Sequence, residues 1–240
     1  MDKFFLLKMY NIFFPIKCGY CGEITQNYSY VCEKCNKNID EFEIKNRCKF
    51  CGKKLIDKNR ICSECRGIKF YYDEYIYYDE YKEFFKDKML QYKFYDKKFL
   101  KNFFAQELSK CLTNVNADYV IGVPISRKRM KERGYNQTEL IARELGNILN
   151  IEYLPNALVK IKDTEHQINL SKKERKNNVK DSFKMSDIYN IKGKKILLVD
   201  DIFTTGATVN ECSRVLKRAK AQQVIVSTIL RKIWPLSWLN

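Results

Sequence analysis

The segment Ile196-Leu197-Leu198-Val199-Asp200-Asp201-Ile202-Phe203-Thr204-Thr205-Gly206-Ala207-Thr208 restricts the fold of this 240-residue chain more than any other. Four apolar residues in a row read as a strand buried on both faces, the pattern of a parallel sheet. Two carboxylates follow at its carboxyl end, then a turn of hydroxyls and glycine that opens a helix at Ala207. In a parallel sheet, ligands sit beyond the carboxyl ends of the strands. A helix starting there presents free backbone N–H groups and the positive end of its dipole, which favour an anion. Thr204, Thr205 and Thr208 add hydroxyl donors, and Gly206 lets the backbone come close to a ligand. Asp200 and Asp201 can accept hydrogen bonds from vicinal hydroxyls or help to hold a divalent cation. These parts suit a sugar phosphate. No Gly-Lys-Ser/Thr ending and no Gly-x-Gly-x-x-Gly run occurs, so nucleoside triphosphates and dinucleotides are poor candidates.

The rest of the carboxyl-terminal region fits the same plan. Tyr119–Pro124 reads as a second parallel-type strand, followed by a basic loop and a helix over Gln137–Leu149. A strand is expected at Ala157–Ile161, then a polar basic stretch from Lys162 to Lys180. Strand 195–200, helix 207–219 and strand Val224–Leu230 complete an alternating order, which predicts a parallel sheet flanked by helices. Upstream, Phe70–Tyr78 reads as an aromatic strand, and Lys82–Tyr92 and Asp96–Leu112 carry helical spacing. The interleaved Tyr and Lys of residues 70–98 admit two readings, a stacking surface for single-stranded nucleic acid or faces that cover a core. Directly after the Tyr119 strand, Arg127, Lys128, Arg129, Lys131 and Arg133 crowd one loop, with Ser126 before them. Arg meets phosphate oxygens in pairs and Lys supplies point charge, so this loop reads as a pyrophosphate clamp or, more simply, as a solvated basic loop.

Eight of the ten cysteines fall between residues 18 and 66, in a repeat of period 30. Cys18-Gly-Tyr-Cys21-Gly closes with Cys32-Glu-Lys-Cys35, and Cys48-Lys-Phe-Cys51-Gly closes with Cys62-Ser-Glu-Cys65. Two Cys-x-x-Cys knuckles place four sulfurs around one Zn²⁺, with the glycine allowing the tight turn below the metal. Four such motifs in tandem do not fit a thioredoxin-like redox site, and no secretory signal argues for an oxidising compartment. The repeat favours two sequential structural sites, while a cross-braced pairing of the same eight sulfurs stays open. Cys111 and Cys212 fall in helical patterns and read as buried residues.

The formal charge is +16 and remains strongly positive once eight thiolates meet two Zn²⁺ ions. Such a chain asks for an anionic partner, although a lysine-rich composition explains much of the excess by itself. The apolar segment Phe4–Phe14 is interrupted by Lys8 and Asn11 and reaches about half a membrane span. It reads as an amphipathic arm, and the apolar tail Ile233–Leu239 as packed; the expectation is a cytoplasmic protein with no transmembrane segment. Three regions result: an arm at 1–17, a cysteine module at 18–66 and an α/β domain at 70–240.

The Asp-Asp-x-x-Thr-Thr-Gly-Ala-Thr segment resembles the signature of the type I phosphoribosyltransferases, which bind phosphoribosyl pyrophosphate (PRPP). That resemblance implies that Asp200 and Asp201 hold the ribose hydroxyls, and that Thr204, Thr205, Gly206, Ala207 and Thr208 hold the 5′-phosphate. It also implies Mg²⁺ bound with PRPP, and a pyrophosphate seat formed by Ser126, Arg127 and Arg129, with Arg127 grouped with the acids as catalytic. Val-Pro-x-Ser-Arg, Arg-Gly-Tyr-Asn-Gln and the later Leu170-Ser171-x-x-Glu174-Arg175-x-x-Asn178-Val179 narrow the likeness to the ComF competence proteins. Those proteins carry a cysteine ribbon ahead of a phosphoribosyltransferase domain, so the likeness spans nearly the whole chain. It implies a role in natural transformation, with incoming single-stranded DNA and a competence helicase or other uptake proteins as partners. Lys172, Arg175 and Asn178 would then close over the site as a lid. One departure bears on mechanism: purine-salvage relatives place a proton-accepting Asp where this chain has Thr204, and Glu165 and His166 are weak substitutes. A non-catalytic PRPP or nucleotide sensor that binds DNA, or a zinc-stapled scaffold, are the rival expectations.

Overall fold

A computed structural model of the chain describes residues 15–25, 29–37, 46–56, 59–95, 97–162 and 179–232. Most of the apolar arm, most of the basic stretch 162–180 and the tail 233–239 lie outside these residues. The chain divides into two compact units, Met1–Glu41 and Phe42–Asn240.

The first unit holds the first cysteine knuckle, closed by an antiparallel bridge between Lys17 and Ile24, and a one-turn helix α1 (Glu33–Asn36). The second unit contains the second knuckle and a five-stranded sheet of order β1 (Glu74–Glu80), β7 (Gln223–Arg231), β6 (Lys195–Phe203), β2 (Tyr119–Gly122), β3 (Glu152–Tyr153). All four pairings are parallel, as the alternating pattern predicts. Helices α2 (Glu83–Phe94), α3 (Leu100–Lys110), α4 (Arg127–Arg133), α5 (Gln137–Leu149) and α6 (Ala207–Arg218) connect or cover the strands. No helix among the described residues is long and apolar enough to cross a membrane.

β6 and β7 occupy the middle of the sheet because their sequences are apolar on both faces. Ile196, Leu197, Leu198 and Val199 are all fully buried. Each such side chain contributes about 2 kcal/mol on burial, so together they rival the net stability of a whole domain. A one-residue slip of β6 would forfeit that burial. The core therefore fixes where the two aspartates sit.

Four sequence expectations need correction. β6 runs on to Phe203, so Asp200 and Asp201 lie inside the strand rather than after it. The first strand begins at Glu74, because Phe70 stacks on Phe50 (ring centroids 4.5 Å apart) and Tyr72 donates to the Phe50 carbonyl (2.7 Å). The strand expected at 157–161 is real over Leu158–Lys160 (β4), but it pairs antiparallel with β5 (Phe183–Met185) in a separate two-stranded sheet. The basic loop after β2 is helix α4: Ser126 caps its start and Gly134, at φ +75°, ends it.

Candidate functional site

The carboxyl ends of β6 and β2 define the site. Successive side chains of a strand alternate between faces. Ile196 and Leu198 join Val209, Cys212 and Leu216 of α6 in one cluster, and Asp200 continues that row. Asp201 continues the other row, where it accepts hydrogen bonds at Oδ2 from Lys93 Nζ (2.6 Å) and Gln137 Nε2 (3.0 Å). The acids therefore differ electrically. Burial and the neighbouring Asp201 charge push the Asp200 carboxyl up to about 8, so it is mostly protonated at neutral pH. Burial also works against ionisation of Asp201, but the Lys93 ammonium and the Gln137 amide outweigh it and hold that carboxyl below its ordinary value. Asp200 Oδ1 accepts the Asp201 N–H at 2.8 Å. Among the described residues, Asp200 Oδ2 and Asp201 Oδ1 have no partner, so each carboxyl keeps one oxygen for a ligand.

The turn after β6 is built for close approach. Gly206 sits at φ +74°, and a Cβ there would lie 2.6 Å from the Phe203 ring, so only glycine fits. Gly206 caps α6 without a side-chain hydrogen bond of its own, which leaves the Thr208 and Val209 N–H groups of the first turn to face an anion. Thr205 Oγ1 accepts from the Ala207 N–H at 3.4 Å. Thr204, Thr205, Ala207 and Thr208 are half-buried around this turn.

The basic helix α4 is less uniform than its sequence. The buried Ser126 hydroxyl oxygen accepts from the Arg129 N–H (3.3 Å), so its first role is a helix cap. Arg127 is exposed, and no described residue pairs with it. Arg129 is half-buried and its charge is felt at Asp200. Arg133 places its guanidinium 4.9 Å from the Phe94 ring centre, and its buried Nε and Nη1 have no acceptor. Burial holds that guanidinium below its ordinary value, with Asp201 acting in the opposite sense. Lys172, Arg175 and Asn178, with Glu165 and His166, lie outside the described residues.

The Arg-Gly-Tyr-Asn-Gln run does structural work that spacing alone hides. Tyr135 OH donates to the Tyr92 carbonyl, fixing the end of α2. Asn136 Nδ2 donates to the Val123 carbonyl (3.1 Å) and its Oδ1 accepts from the Thr138 N–H (3.1 Å), capping α5. Gln137 then reaches Asp201. The cap logic was readable in the sequence. Lys93 was not, since nothing marks it among so many lysines.

The cysteines form two sets, Cys18/Cys21/Cys32/Cys35 and Cys48/Cys51/Cys62/Cys65, with all sulfurs of a set within 4.8 Å of one another. This is the sequential pairing, and none of the ten cysteines is in a disulfide. Tetrahedral Zn–S bonds of about 2.3 Å put sulfurs about 3.8 Å apart. Cys21–Cys32 at 3.7 Å and Cys51–Cys62 at 3.6 Å match this spacing. One bond recurs in both copies of the repeat: the Cys32 N–H meets Cys18 Sγ (3.3 Å) as the Cys62 N–H meets Cys48 Sγ (3.4 Å). Such N–H donors favour thiolates. Both sets are closed four-sulfur zinc-ribbon sites with no open position for catalysis.

Comparison with known proteins agrees with both halves. Residues 9–66 match the double zinc ribbon domain family, and residues 132–234 the phosphoribosyl transferase domain family. Competence protein F of Haemophilus influenzae is 28% identical over 91% of this chain and 98% of its own. Competence protein ComFC of Streptococcus pneumoniae is 26% identical over 90% of this chain and 100% of its own. DNA utilization protein YhgH of Escherichia coli is 32% identical over 48% of this chain and 50% of its own. The chain thus carries a double zinc ribbon domain ahead of a phosphoribosyl transferase domain, and over about nine-tenths of its length it is similar to proteins named for competence.

Proposed function

We propose that this protein binds PRPP with Mg²⁺ at the carboxyl end of β6 and serves the uptake or use of DNA, as the names of its relatives indicate. One observation carries the reading: two acids with unused oxygens stand near the carboxyl end of the central strand, and the turn that follows opens an uncapped helix start behind Gly206. The 5′-phosphate would lie against the N–H groups and hydroxyls of Thr204–Thr208. Asp200 and Asp201 would take the ribose hydroxyls, and their unused oxygens would help to hold Mg²⁺, which would offset the pyrophosphate charge when bound. Arg129 and the exposed Arg127 would supply positive charge as pyrophosphate leaves C1. Calorimetric titration with PRPP and Mg²⁺ tests this. The wild type should show one saturable site, and Asp200→Ala/Asp201→Ala should abolish it; unchanged affinity in the double variant rejects the reading.

A second reading, binding without turnover, is favoured by the absence of a proton acceptor in the loop. Thr204 stands there, Asp200 is mostly protonated, and Asp201 is held by Lys93. Pyrophosphate release from PRPP in the presence of nucleobases or amines separates the two readings. A single-stranded DNA partner is part of either. The aromatic core answers for much of residues 70–98, since Tyr72, Tyr75, Tyr77, Tyr78 and Tyr92 are buried. Exposed Phe94, Tyr95 and Phe99 next to Lys97 remain as a stacking surface. Affinity for a single strand should fall steeply with added salt, and salt-insensitive binding would count against this partner.

A further inference from the structure

Resting on the PRPP reading, we propose that Lys93 is an exchange ligand: it holds Asp201 in the free protein and passes to the incoming pyrophosphate beside Arg133, releasing Asp201 to the sugar. Lys93 stands in the last turn of α2, outside every motif that marks the site. Its Nζ lies 2.6 Å from Asp201 Oδ2, and the two side chains are only 14% and 12% exposed. A permanent ion pair at this depth has little structural value, because the desolvation of both charges offsets their attraction. At the ligand end of the central strand, the pair instead keeps an acid ionised and a cation in reserve.

Arg133 supplies a second, independent sign. Two of its guanidinium nitrogens, Nε and Nη1, are buried without an acceptor. Buried donors left unmet are costly, and phosphate oxygens are the acceptors a guanidinium fits best. Arg133 packs on Phe94, the residue after Lys93, and its charge is felt at Asp201. Lys93 and Arg133 thus approach one seat from two helices. A lysine suits exchange, since its ammonium is a point charge on a flexible stem, whereas a bidentate arginine would be fixed by its plane. An anion entering the seat takes Lys93 and satisfies Arg133 together, and Asp201 is left holding Gln137 alone.

Ribose 5-phosphate, which lacks pyrophosphate, separates this role from others. Wild type, Lys93→Met and Lys93→Arg are titrated calorimetrically with PRPP·Mg²⁺ and with ribose 5-phosphate, after melting curves confirm folding. Lys93→Met should weaken PRPP by roughly tenfold or more, the worth of a lost charge-assisted bond, and leave ribose 5-phosphate unchanged or tighter. Lys93→Arg should restore part of the PRPP affinity. Tighter binding of both ligands by Lys93→Met would make Lys93 a mere lock, and equal weakening of both would make it structural; either overturns the proposal. The ¹³C shift of the Asp201 carboxyl in the wild type gives a check without a variant: it should move on adding PRPP, and a static shift overturns the exchange. Wild type that takes up neither ligand defeats the PRPP reading itself, an outcome distinct from these.

Discussion

Asp200 and Asp201 are neighbours on one strand, but their surroundings push their carboxyls in opposite directions. Asp200 holds its proton to about pH 8 because it is buried beside the charge of Asp201, while Lys93 and Gln137 keep Asp201 ionised. The consequence for stability has a definite sign. Between the ordinary value of 3.8 and about 8, the folded chain keeps a proton on Asp200 that the unfolded chain has lost. The free energy of unfolding should therefore fall as pH rises through that window, by at most about 1.4 kcal/mol per pH unit, and level off above it. Asp200→Asn should remove this slope and be the more stable protein at pH 8, although it has lost a group proposed to hold ribose. Urea unfolding of both proteins from pH 5 to 8 checks this, and parallel curves would contradict it. The acids, the threonines and all eight zinc ligands were legible in the sequence, because each belongs to a local run with fixed spacing. Lys93 was not singled out, and Arg133 stood only as one of five basic residues whose separate roles spacing does not reveal. Their partners lie far along the chain, and a basic residue acquires meaning only when folding brings it to a buried carboxylate or strips it of acceptors.

At the scale of elements, local signals decided what was readable. Helices α5 and α6 and strand β7 follow their periodic patterns to within a residue or so. β3 is two residues long and leaves no periodic trace, and the antiparallel pairing of β4 depends on β5, beyond the reach of any local pattern. Helix α4 was concealed by its charge, though Ser126 and Gly134 were its caps. Asn136 is the most informative single cap, because it starts α5 and ties that start to the end of β2. Asn136→Ala should cost about 1 kcal/mol by urea unfolding and weaken PRPP through misplaced Gln137; full affinity at lowered stability would confine Asn136 to a structural role. The two knuckles offer an internal control. Gly22 and Gly52 both have positive φ, +83° and +71°, but a Cβ at Gly22 meets nothing within 4 Å while one at Gly52 lies 2.4 Å from the Tyr77 ring. Gly22→Ala should cost about 1 kcal/mol of local strain, and Gly52→Ala roughly 1–3 kcal/mol more through overpacking. Zinc release to a chelator should then be faster from the second site than from the first, and equal rates would refute the packing argument.

In the molecule as a whole, the second ribbon is part of the α/β unit. Arg231 Nε donates to the Cys51 carbonyl (2.6 Å), Tyr77 OH to the Gly52 carbonyl (3.1 Å), and the Tyr75 N–H to the Lys49 carbonyl (2.8 Å). The knuckle thereby covers the edge of β1, which would otherwise be open to pairing with another chain. Cys51→Ser should accordingly lower the melting temperature of the sheet domain by several degrees, as a loss of about 2 kcal/mol does in a domain of this size. Far- and near-ultraviolet melting curves would reveal it, and an unchanged sheet transition would mean the ribbon is only tethered. The sheet, stabilised on that edge, presents Asp200 and Asp201 at one end of its central strand. Crystals soaked with PRPP and Mg²⁺ would show whether this end of the sheet is a phosphoribosyl site. The 5′-phosphate should lie against the backbone N–H groups of Thr205–Thr208, with ribose hydroxyls on the two aspartates. Density for the ligand elsewhere, or bound sugar that leaves both acids untouched, would contradict it.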